Sequence, residues 1–263
     1  MTTNNKPVLH LYDMSPEVMA FSTTRHGGVS TGMHADFNIN VRCGDTEENI
    51  AANRKLICGQ LGIDDDHLII PNHQKHDIEV RQIAPEFFKL PGTVKHMLLD
   101  GIDAVMTDMP GVFVGISTAD CIPVLLYDAR HKACCAIHAG WKGTAKRVVE
   151  QALLSMALAY DTEAKDLKAV IGPGISLKNF EVGDEVYEIF AANNFDMERI
   201  SRQYEKWHID LWECNRLQLV DGGVPEENIH VDGTCTYDNT DDFFSARRMG
   251  KMSGRILSGL ILK

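Results

Sequence analysis

The chain reads as an α+β protein with mixed β-sheets, and three observations carry that reading. Apolar strands, hairpins and amphipathic helices are interleaved without a regular βαβα repeat, which disfavours a Rossmann fold or a (β/α)8 barrel. Several apolar strands end in short polar or glycine-rich loops: TRHGG, ADC, HAGWKG and GPGIS. No Ser/Pro-rich linker, charge block or internal repeat divides the 263 residues, so residues 1–263 are expected to form one domain.

The central stretch, VFVGISTADCIPVLLYDARHKACCAIHAGWKGT (residues 112–144), reads as three apolar strands followed by a glycine-rich entry into a helix. If Ile122–Asp128 and His131–Ile137 form an antiparallel hairpin, Ile122 faces Ile137 and Cys121 faces His138. Directly opposed residues share a sheet face with Cβ atoms about 4.5–5.5 Å apart. That separation suits one metal ion bound by both side chains, and equally a thiolate–imidazolium pair. A slip of one residue would put the two on opposite faces.

The remaining elements follow in order. Residues 1–19 read as an extended lead-in, and MAFSTTRHGGVSTG as a strand running into a glycine loop with Arg25 at its end. Asp45 to Leu61 reads as a helix capped by Thr46 and closed by Gly62. Two short strands flank residues 71–75, with His73 and His76 beside them. Residues 84–103 read as a connection, and Asp103 to Thr107 as a strand. A helix is expected from Gly143 or Thr144 to about Tyr160, a strand over LKAVIGPGIS, and helices near Gly183–Ala192 and after the cap Asp210. FFSARR closes a loop and strand at Arg247 and Arg248, and GRILSGLILK reads as a terminal strand.

Composition excludes some function classes. Apolar residues make up 44% and charged residues 24%, ordinary values for a globular protein. A net charge of −11 argues against nucleic-acid or anionic-membrane partners, though not against a small anion held by local cations. No apolar run reaches the roughly 18–20 residues of a membrane span. The N-terminus lacks signal-peptide character, so a cytoplasmic location is expected. The seven cysteines include no Cys-x-x-Cys. All but Cys121 read as buried free thiols.

FSTTRHGGVS, TADCIPVLLYD, AIHAGWKGT, IGPGIS followed by FEVGDEV, and FFSARR together resemble the YfiH-type family, once named multicopper polyphenol oxidase and now described as purine nucleoside phosphorylase. The resemblance runs from about Phe21 to the C-terminus. It implies an α/β/β/α arrangement similar to a cytotoxic-factor deamidase. It also implies a Zn2+ site, with Cu2+ as an alternative ion. Its Q-x-H motif falls on Gln74-Lys75-His76, so the implied ligands are His76, Cys121 and His138. The chain departs from the family pattern at Asp36-Phe37-Asn38-Ile39, at His76-Asp77, and at Lys142, which replaces an arginine of HAGWRG.

The resemblance implies a purine nucleoside phosphorylase acting on adenosine, inosine and methylthioadenosine, with adenosine deaminase activity; purine nucleoside and phosphate are the partners. Arg25, Lys142, Arg247 and Arg248 are candidates for phosphate, Asn38 for ribose or base, and Asp120 for proton transfer. The HAGWKG turn reads as an anion site. Competing readings are a Cys121–His138 hydrolase or peptidoglycan-editing amidase, a copper-dependent polyphenol oxidase, and a structural zinc protein. The paired His-x-His ligands of a multicopper oxidase are missing from the chain.

Overall fold

The structure, a computed structural model, describes residues 5–263. Two sheets lie face to face. The first runs Leu9–Ser15, Val18–Thr23, Ile256–Leu262, Phe113–Thr118, Leu68–Ile69, antiparallel except for its last, parallel pair. The second runs Ile229–Val231, Leu167–Ile171, Ile122–Asp128, Ala133–Ala139, Ala104–Thr107, Val80–Gln82, antiparallel inside and parallel at both edges.

Val114, Ile116, Leu125, Tyr127, Cys134 and Ala136 fill the space between the sheets. The helices Val148–Tyr160 and Leu211–Asp221 cover the outer face of the second sheet. Helix Glu47–Leu61 covers the first through Ile57 and Cys58, packed near Phe21, Phe113 and Leu257. This is the expected α/β/β/α order in an α+β fold. It explains why the central strands are unbroken apolar runs: both of their faces are buried, so no alternation is required. Each fully buried Leu or Ile contributes about 1.5–3 kcal/mol. Cys134 faces the inter-sheet core and Cys135 the helix layer, as neighbours in a strand must. All seven cysteines are free thiols, and every one but Cys121 is buried.

Several elements differ from expectation. The lead-in contains a true edge strand, Leu9–Ser15, and residues 84–103 contain two short helices, Pro85–Phe88 and Gly92–Leu98. The helix expected over 143–160 is two helices, Trp141–Ala145 and Val148–Tyr160, broken at Arg147 with φ 65°. Buried Gln218 makes the break tolerable. Its Nε2 donates to Thr144 O at 3.1 Å and its Oε1 accepts from Val149 N at 3.2 Å. FFSARR ends in a one-turn helix, Ala246–Met249, and not in a strand; Ser245 caps it, accepting from Arg248 N at 3.2 Å.

The central hairpin also differs. Ile122 pairs with Ala139 and Asp128 with Ala133, so the second strand is Ala133–Ala139 and not His131–Ile137. The Asp128 carboxylate sets this register. It accepts from Arg130 N at 2.9 Å, His131 N at 3.0 Å and His131 Nδ1 at 2.8 Å, winding residues 129–132 into the turn. Lys132 closes it at φ 53°. His138 therefore lies opposite Pro123, and Cys121 is diagonal to His138. The slide is two residues, which preserves the face, so Cys121 and His138 still meet.

Candidate metal centre

One end of the two-sheet sandwich gathers the chemistry. Cys121 sits in the ADC turn before Ile122–Asp128, and His138 near the end of Ala133–Ala139. His76 arrives on the loop before Val80–Gln82. The candidate ligand atoms of these three residues all lie within 4.8 Å of one another, and the two imidazole rings stand edge to face at 4.7 Å. Gly140, beyond the end of the hairpin, leaves the room they need. A Cβ there would lie 2.5 Å from His76 Cδ2 and 3.1 Å from Cys121 Sγ.

Asp103 organises the group. Its carboxylate is fully buried. Oδ1 accepts from His138 Nδ1 at 2.7 Å and from His76 N at 2.9 Å. Oδ2 accepts from Lys75 N at 3.1 Å and Asp77 N at 2.9 Å. One side chain thus turns the His138 ring and shapes the loop carrying His76, which takes the left-handed conformation at φ 61°. Gln74 pins the same loop to the first sheet. Its Nε2 donates to Ser117 O at 2.8 Å, and its Oε1 accepts from Ser117 N at 2.9 Å. Nothing in the sequence marked Asp103 beyond its place at the head of an apolar strand, because its partners lie 26–35 positions away.

The electrostatics favour a thiolate. Burial alone would push the Cys121 thiol up, but the His138 and His76 imidazoles beside it reverse this and hold it below the usual thiol value. Burial would likewise lower His138; the Cys121 charge and the Asp103 hydrogen bond overcome it and raise His138. Burial would raise Asp103, and His138 with the backbone N–H groups lowers it. The donor set fits a metal ion of the zinc type: one thiolate and two imidazoles, with His138 Nδ1–H bound to a carboxylate so that Nε2 is the ligating nitrogen. Asp103, His138 and Cys121 in sequence also have the connectivity of an acid–base–nucleophile triad.

The three donors open into a cavity of about 410 Å3, lined also by Asn40, Arg42, His73, Gln74, Ser117, Thr118, Lys251 and Arg255. A larger groove, of about 500 Å3, lies far from this chemistry, between Leu153, Leu154, Ala157 and Gly222, and contains no site residue.

The other sequence candidates do not line the cavity. Asn38 is fully buried behind it, with Nδ2 donating to Asn40 O at 3.1 Å and Asp45 Oδ2 at 3.0 Å. Arg25 donates to Ala35 O at 2.8 Å and Thr240 O at 2.7 Å and lies over the Phe244 ring. Lys142 lies over Trp141. Arg247 donates to Glu181 O at 3.0 Å, and Arg248 to Tyr237 O at 2.7 Å. Asp120 has both oxygens engaged: Oδ1 accepts from Thr236 Oγ1 at 2.7 Å, Oδ2 from Arg247 N at 2.6 Å. It ties the ADC turn to the helix Ala246–Met249. The HAGWKG turn opens a helix of five residues, too short to build an anion site alone. The cavity's own cations escaped the sequence reading: Arg42 and Lys251 lie in irregular segments, and Arg255 was read only as the start of the terminal strand.

Three protein donors, one of them backed by a buried carboxylate, are grouped beside an open cavity and could hold a metal ion with one position left open. The chain belongs to the family described as multi-copper polyphenol oxidoreductase laccase, whose model matches residues 19–263. It is 43% identical to a purine nucleoside phosphorylase of Bacteroides thetaiotaomicron over 99% of this chain and 98% of that protein. It is 36% identical to adenosine deaminase RL5, from an unknown prokaryotic organism, over 94% of each. Among solved structures, the YfiH protein of Bacillus licheniformis superposes with a TM-score of 0.90 at 28% identity, covering 99% of this chain and 98% of that one. YlmD of Geobacillus stearothermophilus superposes at 0.87 with 26% identity, covering 96% and 94%. The YfiH-type resemblance and the α+β fold are therefore borne out. No helix among the described residues is long and apolar enough to cross a membrane.

Proposed function

We propose that this chain is a zinc-dependent purine nucleoside phosphorylase acting on adenosine, inosine and methylthioadenosine, with adenosine deamination as a second reaction. The observation that carries the reading is the convergence of His76, Cys121 and His138 at the floor of a cavity. The names of the relatives support the substrate class.

His76, Cys121 and His138 would hold a Zn2+ ion, which would supply Lewis acidity beside the cavity. The chain's residues supply the rest. Asp103 holds the proton on His138 Nδ1 and keeps Nε2 turned to the floor. The same carboxylate and Gln74 hold the His76 loop against both sheets. Ser117 and Asn40, bonded to each other at 2.9 Å, present polar groups along the wall. Asp120, bound on both oxygens, acts as a tie and not as the proton carrier. Cu2+ competes effectively for such donors, so weak phenol oxidation in a copper-loaded sample would not define the role.

A second reading is favoured by one observation, the Asp103–His138–Cys121 alignment, which would serve a cysteine hydrolase or amide-editing enzyme equally. One experiment separates the two. Protein of measured metal content is incubated with inosine and adenosine, with and without inorganic phosphate, before and after chelation. Phosphate-dependent release of base and ribose 1-phosphate, abolished by chelation, supports phosphorolysis. Conversion of adenosine to inosine without phosphate supports the second reaction. No product from fully zinc-loaded protein overturns the reading, and amide hydrolysis that survives chelation establishes the hydrolase.

A further inference from the structure

The cavity over the metal centre is cationic in an acidic protein. The chain carries 37 acidic and 26 basic side chains. Yet Arg42, Lys251 and Arg255 line the cavity, and among the described residues no carboxylate does. These cations come from opposite ends of the sequence, and a buried amide joins them. Asn38 Oδ1 accepts from Arg255 N at 2.9 Å and from Asn40 N at 3.2 Å, while its Nδ2 donates to Asn40 O at 3.1 Å. The turn carrying Arg42 and the backbone of Arg255 are thereby locked to one side chain that is itself fully buried.

The guanidinium groups are held chiefly by backbone carbonyls. Arg255 donates from Nη2 to Lys251 O and from Nη1 to Gly254 O, both at 2.9 Å, and also to Ser253 O. All of these acceptors are uncharged carbonyls. Arg42 donates from Nε to Asn72 O at 3.0 Å and makes a long, half-exposed ion pair with Asp100 at 3.9 Å. A separate observation points to a ligand. Thr118 Oγ1 is buried without a hydrogen-bond partner among the described residues, and Thr118 lines this cavity. In the sheet Thr118 pairs with Ile256, the residue after Arg255. A buried hydroxyl without a partner is costly and is normally satisfied by a ligand or water.

We infer that Arg42, Lys251, Arg255 and the Thr118 hydroxyl form the seat of inorganic phosphate, the co-substrate of the reaction; the inference rests on the phosphorolysis reading above. Guanidinium forks match the tetrahedral oxygens of a phosphoryl dianion, and a hydroxyl adds one neutral donor. In the step this seat serves, a phosphate oxygen forms a bond to C1′ of the ribose as the bond from C1′ to the purine nitrogen breaks. The electron pair leaves with the base, which takes up one proton, giving free purine and ribose 1-phosphate. The 5′-phosphate of a nucleotide offers the same chemistry, and the test separates the two.

Zinc-loaded wild type, Arg42→Gln, Arg255→Gln and Thr118→Val are compared, with metal content and thermal midpoint confirming the fold. Base release from inosine is measured against inorganic phosphate concentration. The KM for phosphate is expected to rise about tenfold to a hundredfold in the arginine variants, with the KM for inosine held within about twofold. Thr118→Val is expected to raise the phosphate KM by a smaller factor. An unchanged phosphate KM in an active wild-type background overturns the seat and leaves the phosphorylase reading standing. If wild type shows no phosphorolysis, that reading has failed by itself. Calorimetric titration of inorganic phosphate into the zinc-loaded protein then decides the seat: heats lost in Arg255→Gln uphold it, and equal heats overturn it. Weakened binding of inosine 5′-monophosphate with unchanged phosphate binding also overturns it, in favour of a nucleotide site.

Discussion

Asp103 Oδ1 and His138 Nδ1 are bonded at 2.7 Å, with both side chains buried. The other carboxylate oxygen holds the backbone of the loop that carries His76. One residue therefore orients two of the three candidate ligands. In Asp103→Asn, zinc affinity measured by chelator competition is expected to fall about 10- to 100-fold. Unchanged zinc affinity in a folded variant would show that the histidines orient themselves without it.

Gly140 has φ −70°, a conformation open to any residue, so its constraint is space alone. Gly140→Ala would push a methyl group into His76 and Cys121. The expected outcome is loss of bound metal and of activity with unchanged far-ultraviolet circular dichroism. A variant that keeps its full metal content would refute the close approach.

Asp120 has both oxygens bound to other parts of the chain. Asp120→Asn is therefore expected to lower the thermal midpoint and kcat/KM while leaving the shape of the pH–rate profile unaltered. Disappearance of one limb of that profile would restore Asp120 as a proton carrier.

Asp128 is predicted to give the hairpin turn a pH-dependent stability. Burial would raise its carboxyl, and the neighbouring donors, the His131 ring among them, hold it below the ordinary carboxylate value. A depressed folded-state value means the contribution is complete above about pH 4 and is lost as pH falls through the lower folded value. Asp128→Asn should cost about 1–3 kcal/mol at pH 7. In urea unfolding the gap between variant and wild type should narrow from pH 7 to pH 3; a gap of equal size at both pH values would contradict the turn's dependence on charge.

Much of the centre was legible because parity is robust. Cys121 and His138 were read as directly opposed and are in fact diagonal, yet a slide of two residues leaves both on one face. The turn was harder to read because a side chain, Asp128, determines its length, and turn length cannot be seen in apolar periodicity. The helix break at Arg147 was hidden for a similar reason: the groups that satisfy it belong to Gln218, seventy positions later in round terms. Arg25, Lys142, Arg247 and Arg248 stand beside recognisable motifs. The cations that line the cavity, Arg42, Lys251 and Arg255, are brought together by contacts between distant parts of the chain, Asn38 to Arg255 among them.

That closure has an order in time. Ile256–Leu262 lies in the middle of its sheet, between Val18–Thr23 and Phe113–Thr118, which are not paired with each other. On the ribosome, each of these strands emerges with its outer partner but without the strand that joins the two. The sheet acquires its centre, and the cavity its Arg255 wall, only when nearly all of residues 1–262 have been translated. Nascent chains stopped short of residue 256 therefore carry two unpaired apolar strand edges, a form exposed to aggregation.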